Sequence, residues 1–204
     1  MADRPQRLSP LAGATTPGEF GAPVDAGPRV ILSERLGLGP LHLAGPDTDE
    51  FYEGARGVVG ANLPRDPNTA SDADDRVALW TGPGTWLIVT SESDVQNLAE
   101  GLRAIECSGA VSVVDLSHGR TVVRIGGPAA RDVLAKGCSI DLHPRCFLAG
   151  DCVQTSLAGI GLLIHAVTDD PVYDLYLPRG FALSAWEWLS DAAAEFGCRI
   201  EQTA

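Results

Sequence analysis

The sequence predicts an α+β fold built from two related halves, each with the ferredoxin-like order of strand, helix, two strands, helix and strand. Strand and helix periodicities alternate along the chain after residue 28. The pattern Leu-x-Leu-x-Gly-Pro at residues 41–46 recurs 82 residues later (128 − 46) as Val-x-Ile-x-Gly-Pro at residues 123–128, and Phe51 matches Val133 at the same offset. Duplication of this unit predicts two sheets of mixed or antiparallel strands, each with helices packed on one side. The alternative is two unrelated α+β halves that share a Gly-Pro helix start by chance.

In the first half, each predicted element follows from local sequence. Pro46 opens a helix whose first turn is acidic, as the helix dipole favours. The Gly-Pro-Gly sequence at residues 82–84 separates two apolar runs and predicts a hairpin. Ser93 begins a capping-box-like sequence, which apolar residues follow at helical spacing. The predicted elements are a strand at 39–44, a helix from Pro46, strands at 77–80 and 86–90, a helix at 95–105 and a strand at 111–116.

The second half repeats this order. Pro128 opens its first helix, and the Asp-Asp-Pro sequence at residues 169–171 predicts a turn between strands. On the last helix, Phe181 and Trp188 fall on one apolar stripe at about 100° per residue, which predicts that Trp188 is core and that Trp186 lies at the edge of the apolar arc. The predicted elements are a strand at 122–125, a helix from Pro128, strands at 153–157, 161–167 and 172–177, a helix at about 180–196 and a strand at 199–201.

An N-terminal arm precedes these halves. It holds five prolines and four glycines, a composition that disfavours helices and central strands, so we expect it to be extended or disordered on its own. Leu8, Leu11 and Phe20 are expected to anchor the arm to a surface. The predicted subunit contacts are Leu8, Pro10, Leu11 and Trp186. The predicted division is an arm at residues 1–28 and an α+β domain at residues 29–204, with halves of about 29–117 and 118–204.

Composition limits the classes of partner. The chain has 204 residues, of which 45% are hydrophobic and 21% charged, as in ordinary globular proteins. With 15 basic and 27 acidic residues, its formal net charge is −12, which repels a phosphate backbone and disfavours an anionic membrane surface. No run of 18 apolar residues and no signal-peptide core occurs, and the five cysteines lack framework spacing. We therefore expect a reduced, cytoplasmic protein that binds neither nucleic acid nor membrane.

Cys138, His143, Cys146 and Cys152 form the cluster that most resembles a metal site. Structural zinc needs four converging ligands, which are commonly paired as C-x2-C, and that pairing is missing here. Cysteines that are buried as small hydrophobic residues explain the pattern equally well. We predict no metal site.

Asp115, Ser117 and His118 carry the residue types of a catalytic triad. They are nearly contiguous, whereas triad members usually converge from separate elements, and short polar side chains at a strand end commonly bond to local backbone. We interpret them as a structural turn, and we expect His165, a lone strand histidine, to be solvent-facing or locally bonded. Neither a G-x-G-x-x-G fingerprint nor a P-loop occurs. The sequence therefore predicts no catalytic and no cofactor-binding residue in this chain.

Several segments, in chain order, carry a resemblance to known families. Four of them resemble the folate-binding aminomethyltransferase family, the T-protein of glycine cleavage. They are Val-Asp-Leu-Ser-His-Gly-Arg at 114–120, the strand and helix start at 123–130, Tyr-Asp-Leu-Tyr-Leu-Pro at 173–178 and the helix at 186–189. Together with the segments at 7–11, 82–87 and 141–145, the chain resembles more closely the gamma subunits of heterotetrameric sarcosine oxidase. The resemblance covers about residues 7–200.

This resemblance implies a non-catalytic accessory subunit of a complex that oxidatively demethylates sarcosine to glycine, with folate-linked one-carbon transfer. The implied partners are the alpha and beta flavoprotein subunits and the delta subunit, which are expected to hold FAD, FMN, NAD and tetrahydrofolate. The chain departs from the complete transferase because only 89 residues follow Asp115 (204 − 115), and residues 167–171 replace a Tyr-Thr-Gly-Glu-type segment. The alternatives are a stand-alone folate-binding aminomethyltransferase-like protein, a free-standing binding module, or the equivalent subunit of a related N-methyl amino acid oxidase or dehydrogenase.

Overall fold

The computed structural model describes residues 8–23 and 27–202. Within these ranges, the strands are β1 (Gly18–Phe20), β2 (Val30–Glu34), β3 (Leu38–Ala44), β4 (Ala70–Ala73), β5 (Arg76–Gly82), β6 (Thr85–Ser91), β7 (Ser112–Asp115), β8 (Arg120–Gly126), β9 (Cys152–Leu157), β10 (Ile160–Thr168), β11 (Val172–Pro178) and β12 (Cys198–Glu201). The helices are α1 (Asp49–Val59), α2 (Val95–Arg103), α3 (Ala130–Ala135) and α4 (Ala182–Ala194), the last preceded by a 3-10 turn at Arg179–Phe181. No helix of the described part is both long and apolar enough to cross a membrane.

The first half is a ferredoxin-like unit, as the sequence predicts. The order β3, α1, β5, β6, α2, β7 along the chain gives the spatial order β5-β6-β3-β7, and β4 extends the sheet at the β5 edge. The helix starts differ from the prediction by a few residues. Helix α1 begins at Asp49 rather than at Pro46, because the hydroxyl oxygen of Thr48 accepts the backbone N–H of Phe51 (3.4 Å). Helix α2 is preceded by Asp94, whose carboxylate binds Arg76 instead of capping the helix, so the capping box predicted at Ser93 does not form.

The second half repeats the unit with one strand inserted. Strands β8, β11 and β10 lie in the expected order, but β2 lies between β8 and β12 in a seven-stranded sheet ordered β1-β12-β2-β8-β11-β10-β9. Strand β2 pairs antiparallel with β8 and parallel with β12. The structural halves are therefore not two consecutive segments, because residues 30–34 precede the first half in the chain yet belong to the sheet of the second.

The 82-residue repeat falls on the first strand and the first helix of each ferredoxin-like unit. Phe51 on α1 and Val133 on α3 are both fully buried in the core on the helix side of their sheet. The glycine that follows each first strand is needed for a different local reason. A Cβ on Gly45 would overlap the Phe51 ring at 2.2 Å, whereas Gly127 has φ +98° and approaches the carbonyl oxygen of Arg29.

The two sheets pack face to face, and the helices cover their outer faces. Helices α1 and α2 cover the five-stranded sheet, while α3 and α4 cover the seven-stranded sheet. Because side chains alternate along a strand, each strand sends every second residue to a third core between the sheets. The buried members of that inter-sheet core are Leu79, Leu87, Val89, Val122, Cys152, Leu163 and Tyr176.

The described part of the arm is folded against the domain, which differs from the extended segment we expected. Residues 10–14 form a turn, and Leu11 is fully buried in the core under the seven-stranded sheet. Strand β1 adds to the edge of that sheet by pairing with β12, and the hydroxyl of Ser9 donates to the carboxylate of Glu34 (2.6 Å). The arm therefore completes the hydrophobic core instead of lying on it.

The two tryptophans of α4 are placed opposite to the prediction. Trp186 is 3% exposed and belongs to the core, whereas Trp188 is only partly buried at its edge. The apolar stripe was predicted from Phe181, but α4 begins at Ala182 and Phe181 lies outside it, 54% exposed. The buried stripe is instead formed at helical spacing by Ala182, Ala185, Trp186, Leu189, Ala192 and Ala193, so it includes Trp186 and leaves Trp188 beside it.

Candidate functional site

A row of polar side chains crosses the seven-stranded sheet on the face that meets the other sheet. His165 on β10 is the cross-strand neighbour of Asp174 on β11, which is in turn the neighbour of Arg124 on β8. Each of them lies two residues away from a member of the inter-sheet core and therefore on the same face of its strand. Those core residues are Leu163, Tyr176 and Val122. The sheet register therefore brings a histidine, a carboxylate and a guanidinium together from residues that are distant in sequence.

Arg124 and Asp174 form a bidentate ion pair. Nε and Nη2 of Arg124 donate to the two carboxylate oxygens of Asp174, each at 2.7 Å. Burial opposes the charged form of Arg124, but its hydrogen bonds with the Asp174 carboxylate outweigh that effect and raise the pKa of Arg124 above its ordinary value. Since Asp174 is almost fully buried, the pair fixes both charges in place.

His165 is the unusual member of the row. It is 3% exposed, and neither ring nitrogen has a hydrogen-bond partner among the described residues. The expectation of a solvent-facing or locally bonded side chain is therefore wrong. Burial lowers the pKa of His165, so the ring is neutral near pH 7, with one N–H donor and one acceptor nitrogen. Leaving such buried groups unpaired costs about 1–3 kcal/mol each.

A cleft of about 260 Å³ opens beside this row, between the two sheets. Both sheets and the segment after β2 contribute its walls, which carry charges of both signs. Its lining residues are Arg35, Leu38, Asp72, Asp74, Asp75, Arg76, Val77, Val89, Arg124, His165, Val167, Asp174 and Tyr176.

Some of the charges in this cleft are already neutralised within the chain. Arg76 donates to the carboxylate of Asp94 and to the carbonyl oxygen of Val58, both at 2.7 Å. Arg35, by contrast, makes no ion pair with any residue in the described ranges. The same holds for the three aspartates of the opposite wall, which are Asp72, Asp74 and Asp75.

The size of the cleft limits what it can hold. Pockets for drug-sized ligands occupy about 300–1,000 Å³, and this cleft, at about 260 Å³, lies just below that range. The cleft suits a ligand of a few heavy atoms.

The triad-like residues form a turn. The backbone N–H of Ser117 donates to Oδ1 of Asp115 (2.8 Å), which is an Asx turn between β7 and β8. Ser117 is buried, whereas Asp115 and His118 are exposed. Three side chains with such different surroundings do not make a nucleophile, base and orienter.

The cysteine cluster is split by the seven-stranded sheet. Cys138 lies in the core on the helix side of the sheet, and Cys152 lies in the core on its other side. Cys146 and His143 are both exposed, and Nδ1 of His143 accepts the backbone N–H of Arg145 (3.2 Å). Among the described residues, no three His, Cys, Asp or Glu side chains are placed to hold a metal ion.

A second candidate site is a surface, here called the arm face, made of Leu8, Pro10, Leu36, Phe181 and Leu183. Leu8 is 68% exposed and Phe181 54%, and both lie near Arg179, whose Nη2 donates to the carbonyl oxygen of Leu8 (2.5 Å). Arg179, Pro10 and Leu36 line one groove, which also holds Arg35 and Arg120. The set contains four of the six exposed large hydrophobic residues in the described ranges.

The arm face differs from the contact set predicted from the sequence. Leu8 is exposed and Pro10 is partly accessible, whereas Leu11 and Trp186 are buried within the described part of the chain. The sequence did not predict the exposure of Phe181 and Leu183, because its periodicity placed both in a helix and Phe181 on the buried side of that helix. Next to Leu183, a groove of about 650 Å³ separates the arm from α4 and extends the apolar surface.

Comparisons with known proteins agree with this architecture. Residues 48–195 match the sarcosine oxidase, gamma subunit family. The sarcosine oxidase subunit gamma of Corynebacterium sp. (strain P-1) is 36% identical over 141 residues, 68% of each chain. In the heterotetrameric sarcosine oxidase from Corynebacterium sp. U-96, a chain superposes with a TM-score of 0.82 and 30% identity, covering 93% of this chain and 96% of that one.

A more distant solved structure shares the fold alone. The glycine cleavage system aminomethyltransferase T from Bartonella henselae superposes with a TM-score of 0.62 at 19% identity. The match covers 87% of this chain but only 48% of that enzyme. The two-sheet architecture is thus common to this chain and to about half of a transferase.

Proposed function

The chain belongs to the sarcosine oxidase, gamma subunit family, and from this premise we propose that it is the non-catalytic accessory (gamma) subunit of a heterotetrameric sarcosine oxidase. The observation that carries the proposal is the extent of the structural match. This chain spans 96% of a chain in a sarcosine oxidase tetramer, but only 48% of an aminomethyltransferase. The match therefore covers nearly all of one chain of that tetramer and about half of the transferase.

In this role, the chain stabilises its partners by covering their apolar surface. A subunit that binds only the folded partner shifts the folding equilibrium of that partner by mass action, without chemistry of its own. FAD, FMN, NAD and tetrahydrofolate would be held by the alpha and beta subunits, with the delta subunit completing the tetramer. The complex would demethylate sarcosine to glycine and pass the one-carbon unit to folate.

The arm face supports this role because its composition is that of an interface. Exposed aromatic and arginine side chains are enriched among residues that dominate binding energy. Arg179 donates to the carbonyl oxygen of Leu8, and the exposed Phe181 follows it two residues later in the chain. Leu11 and Trp186 act indirectly in this proposal, since their burial holds the arm and α4 in position.

Co-expression tests the proposal. The alpha, beta and delta subunits are produced with and without this chain, and the yield, the flavin content and the sarcosine-dependent formation of peroxide are measured. We expect all three to fall without the chain, and we expect the purified chain alone to oxidise no sarcosine. Equal values in both preparations would show that the chain is not a subunit. Turnover by the chain alone with folate and an aminomethyl donor would indicate the stand-alone transferase instead.

A second experiment locates the contact. Phe181→Ala and Leu8→Ala are compared with Leu148→Ala, a matched control because Leu148 is also exposed but lies in another loop. We expect the first two variants to weaken co-purification with the partner subunits and the control to leave it unchanged. Equal co-purification of all three variants would move the interface away from the arm face.

A further inference from the structure

We propose that the arginine groove, a surface lined by Arg35, Arg120 and Arg179, binds a segment of a partner subunit that carries aspartate or glutamate side chains. The groove lies at one end of the two sheets, where β2 and β11 end and β3 and β8 begin. Such a contact rests on the proposed subunit role, to which it adds the chemistry of the partner surface.

The arginines of this groove differ from the other partly buried arginines. The described residues include six partly buried arginines. Two of them, Arg76 and Arg124, bind carboxylates, and Arg131 lies over the ring of a tyrosine. The other three have neither kind of partner among the described residues, and all three line the same groove; they are Arg35, Arg120 and Arg179.

A carboxylate is the group that these guanidinium groups lack. Partial burial removes some water from each charge, and three like charges in one groove repel one another. A planar guanidinium can donate two parallel N–H bonds to one carboxylate, which neutralises the charge and fixes the geometry. The carboxylates of the groove itself, Glu34 and Glu92, have other partners, and within the described part of the chain neither forms an ion pair with an arginine.

The rim of the groove favours a polypeptide over a free anion. Leu36 is 51% exposed, and Leu8, whose carbonyl oxygen accepts an N–H of Arg179, is 68% exposed. A free anion would leave these apolar side chains in water, whereas a protein segment covers them with its own apolar groups. The groove measures about 180 Å³, below the range of about 300–1,000 Å³ for whole ligands, and so suits side chains that reach in from a segment lying across it.

Close pairing rather than long-range attraction should hold the partner segment. The chain has a net charge of −12, so its overall field repels an acidic partner. Loss of a groove arginine should therefore speed dissociation of the assembled complex, since most interface substitutions act on the dissociation rate. Arg35 and Arg120 are the residues to test, because Arg179 also holds the carbonyl group of Leu8.

Dissociation of the assembled complex tests the contact. This chain, carrying an affinity tag, is co-expressed with the alpha, beta and delta subunits, the complex is immobilised through the tag, and the release of the partner subunits is timed. Arg35→Gln and Arg120→Gln should each release the partners about tenfold faster or more, because each loses one charge-assisted contact. Arg145→Gln is the matched control, since Arg145 is exposed, lies in another loop and has no ion pair among the described residues. It should release the partners at the wild-type rate, and thermal unfolding of each chain checks that the variants fold.

Cross-linking identifies the partner group. The chain has a single lysine, Lys136, which pairs with Glu195, so a lysine placed in the groove is easily followed by mass spectrometry. A water-soluble carbodiimide joins an ammonium group to a carboxylate only when the two are in contact. In the complex of Arg120→Lys, we expect residue 120 to be joined to an aspartate or glutamate of a partner subunit. In the complex of Arg145→Lys, we expect no such product.

Different results separate this contact from the subunit role. Equal release by the wild type, Arg35→Gln and Arg120→Gln would overturn the contact, while the subunit role would stand because the wild-type chain still holds its partners. Residue 120 joined only to a carboxylate of its own chain, or to a second copy of this chain, would also overturn it. A wild-type chain that retains no partner at all would overturn both the contact and the subunit role.

Discussion

Replacing Leu11 with alanine should destabilise the whole chain, although Leu11 lies in a Pro/Gly-rich arm. Its side chain is fully buried in the core with Val30, Leu32 and Trp186. Substitution of a buried leucine by alanine costs about 2–5 kcal/mol, and the peripheral position of the arm allows some relaxation, so we expect about 2–3 kcal/mol. For a chain of this size, that corresponds to a Tm lower by roughly 4–12 °C.

Leu8→Ala is the matched control, since Leu8 lies three residues away and is 68% exposed. Its free energy of unfolding should change by less than about 0.5 kcal/mol, as for most surface substitutions. Urea and thermal unfolding followed by tryptophan fluorescence measure both variants. If Leu11→Ala and Leu8→Ala unfold at the same urea concentration, the arm does not contribute to the core and its placement here is wrong.

Three further predictions concern buried polar groups and thiols. Asp174→Asn leaves Arg124 unpaired and should lower the free energy of unfolding in urea by about 2–3 kcal/mol, less than for a fully buried pair because the guanidinium is partly exposed. Glu19→Gln, in an exposed pair, should lower it by less than about 1 kcal/mol. Burial lowers the pKa of His165 below its ordinary value of 6.5, so the folded state binds fewer protons than the unfolded state in mild acid. The free energy of unfolding should therefore fall as the pH drops below about 6.5, and it should fall less for His165→Asn. Burial raises the pKa of Cys152 to about 12, so Ellman's reagent at pH 8 should modify the exposed Cys146 in the folded chain and Cys152 only after denaturation. Modification of Cys152 in the folded chain would contradict its placement between the sheets.

The repeated fold and most of its elements could be predicted from the sequence alone. Strand and helix periodicity, the Gly-Pro-Gly hairpin and the match of residues 41–46 with residues 123–128 are local signals, and the structure confirms the two ferredoxin-like units they predict. The resemblance to the gamma subunits was also carried by local segments, and the family match confirms it. One missed signal was available: the nearly continuous apolar run of β10 indicates a strand buried on both faces, which would have predicted a buried His165.

The contacts between residues distant in sequence became visible only in the folded chain. Strand β2 lies between β8 and β12, which are about 90 and 168 residues further along the chain. The sequence did not predict this pairing, because hydrophobic periodicity indicates a strand but not its partners. The same reason explains the row of His165, Asp174 and Arg124, which exists only through sheet register. Leu11 of the arm is buried because it packs into the core under the seven-stranded sheet, a contact that its own proline-rich sequence does not reveal. Long-range packing fixes these positions, since burial depends on what covers a residue and not on the residues beside it.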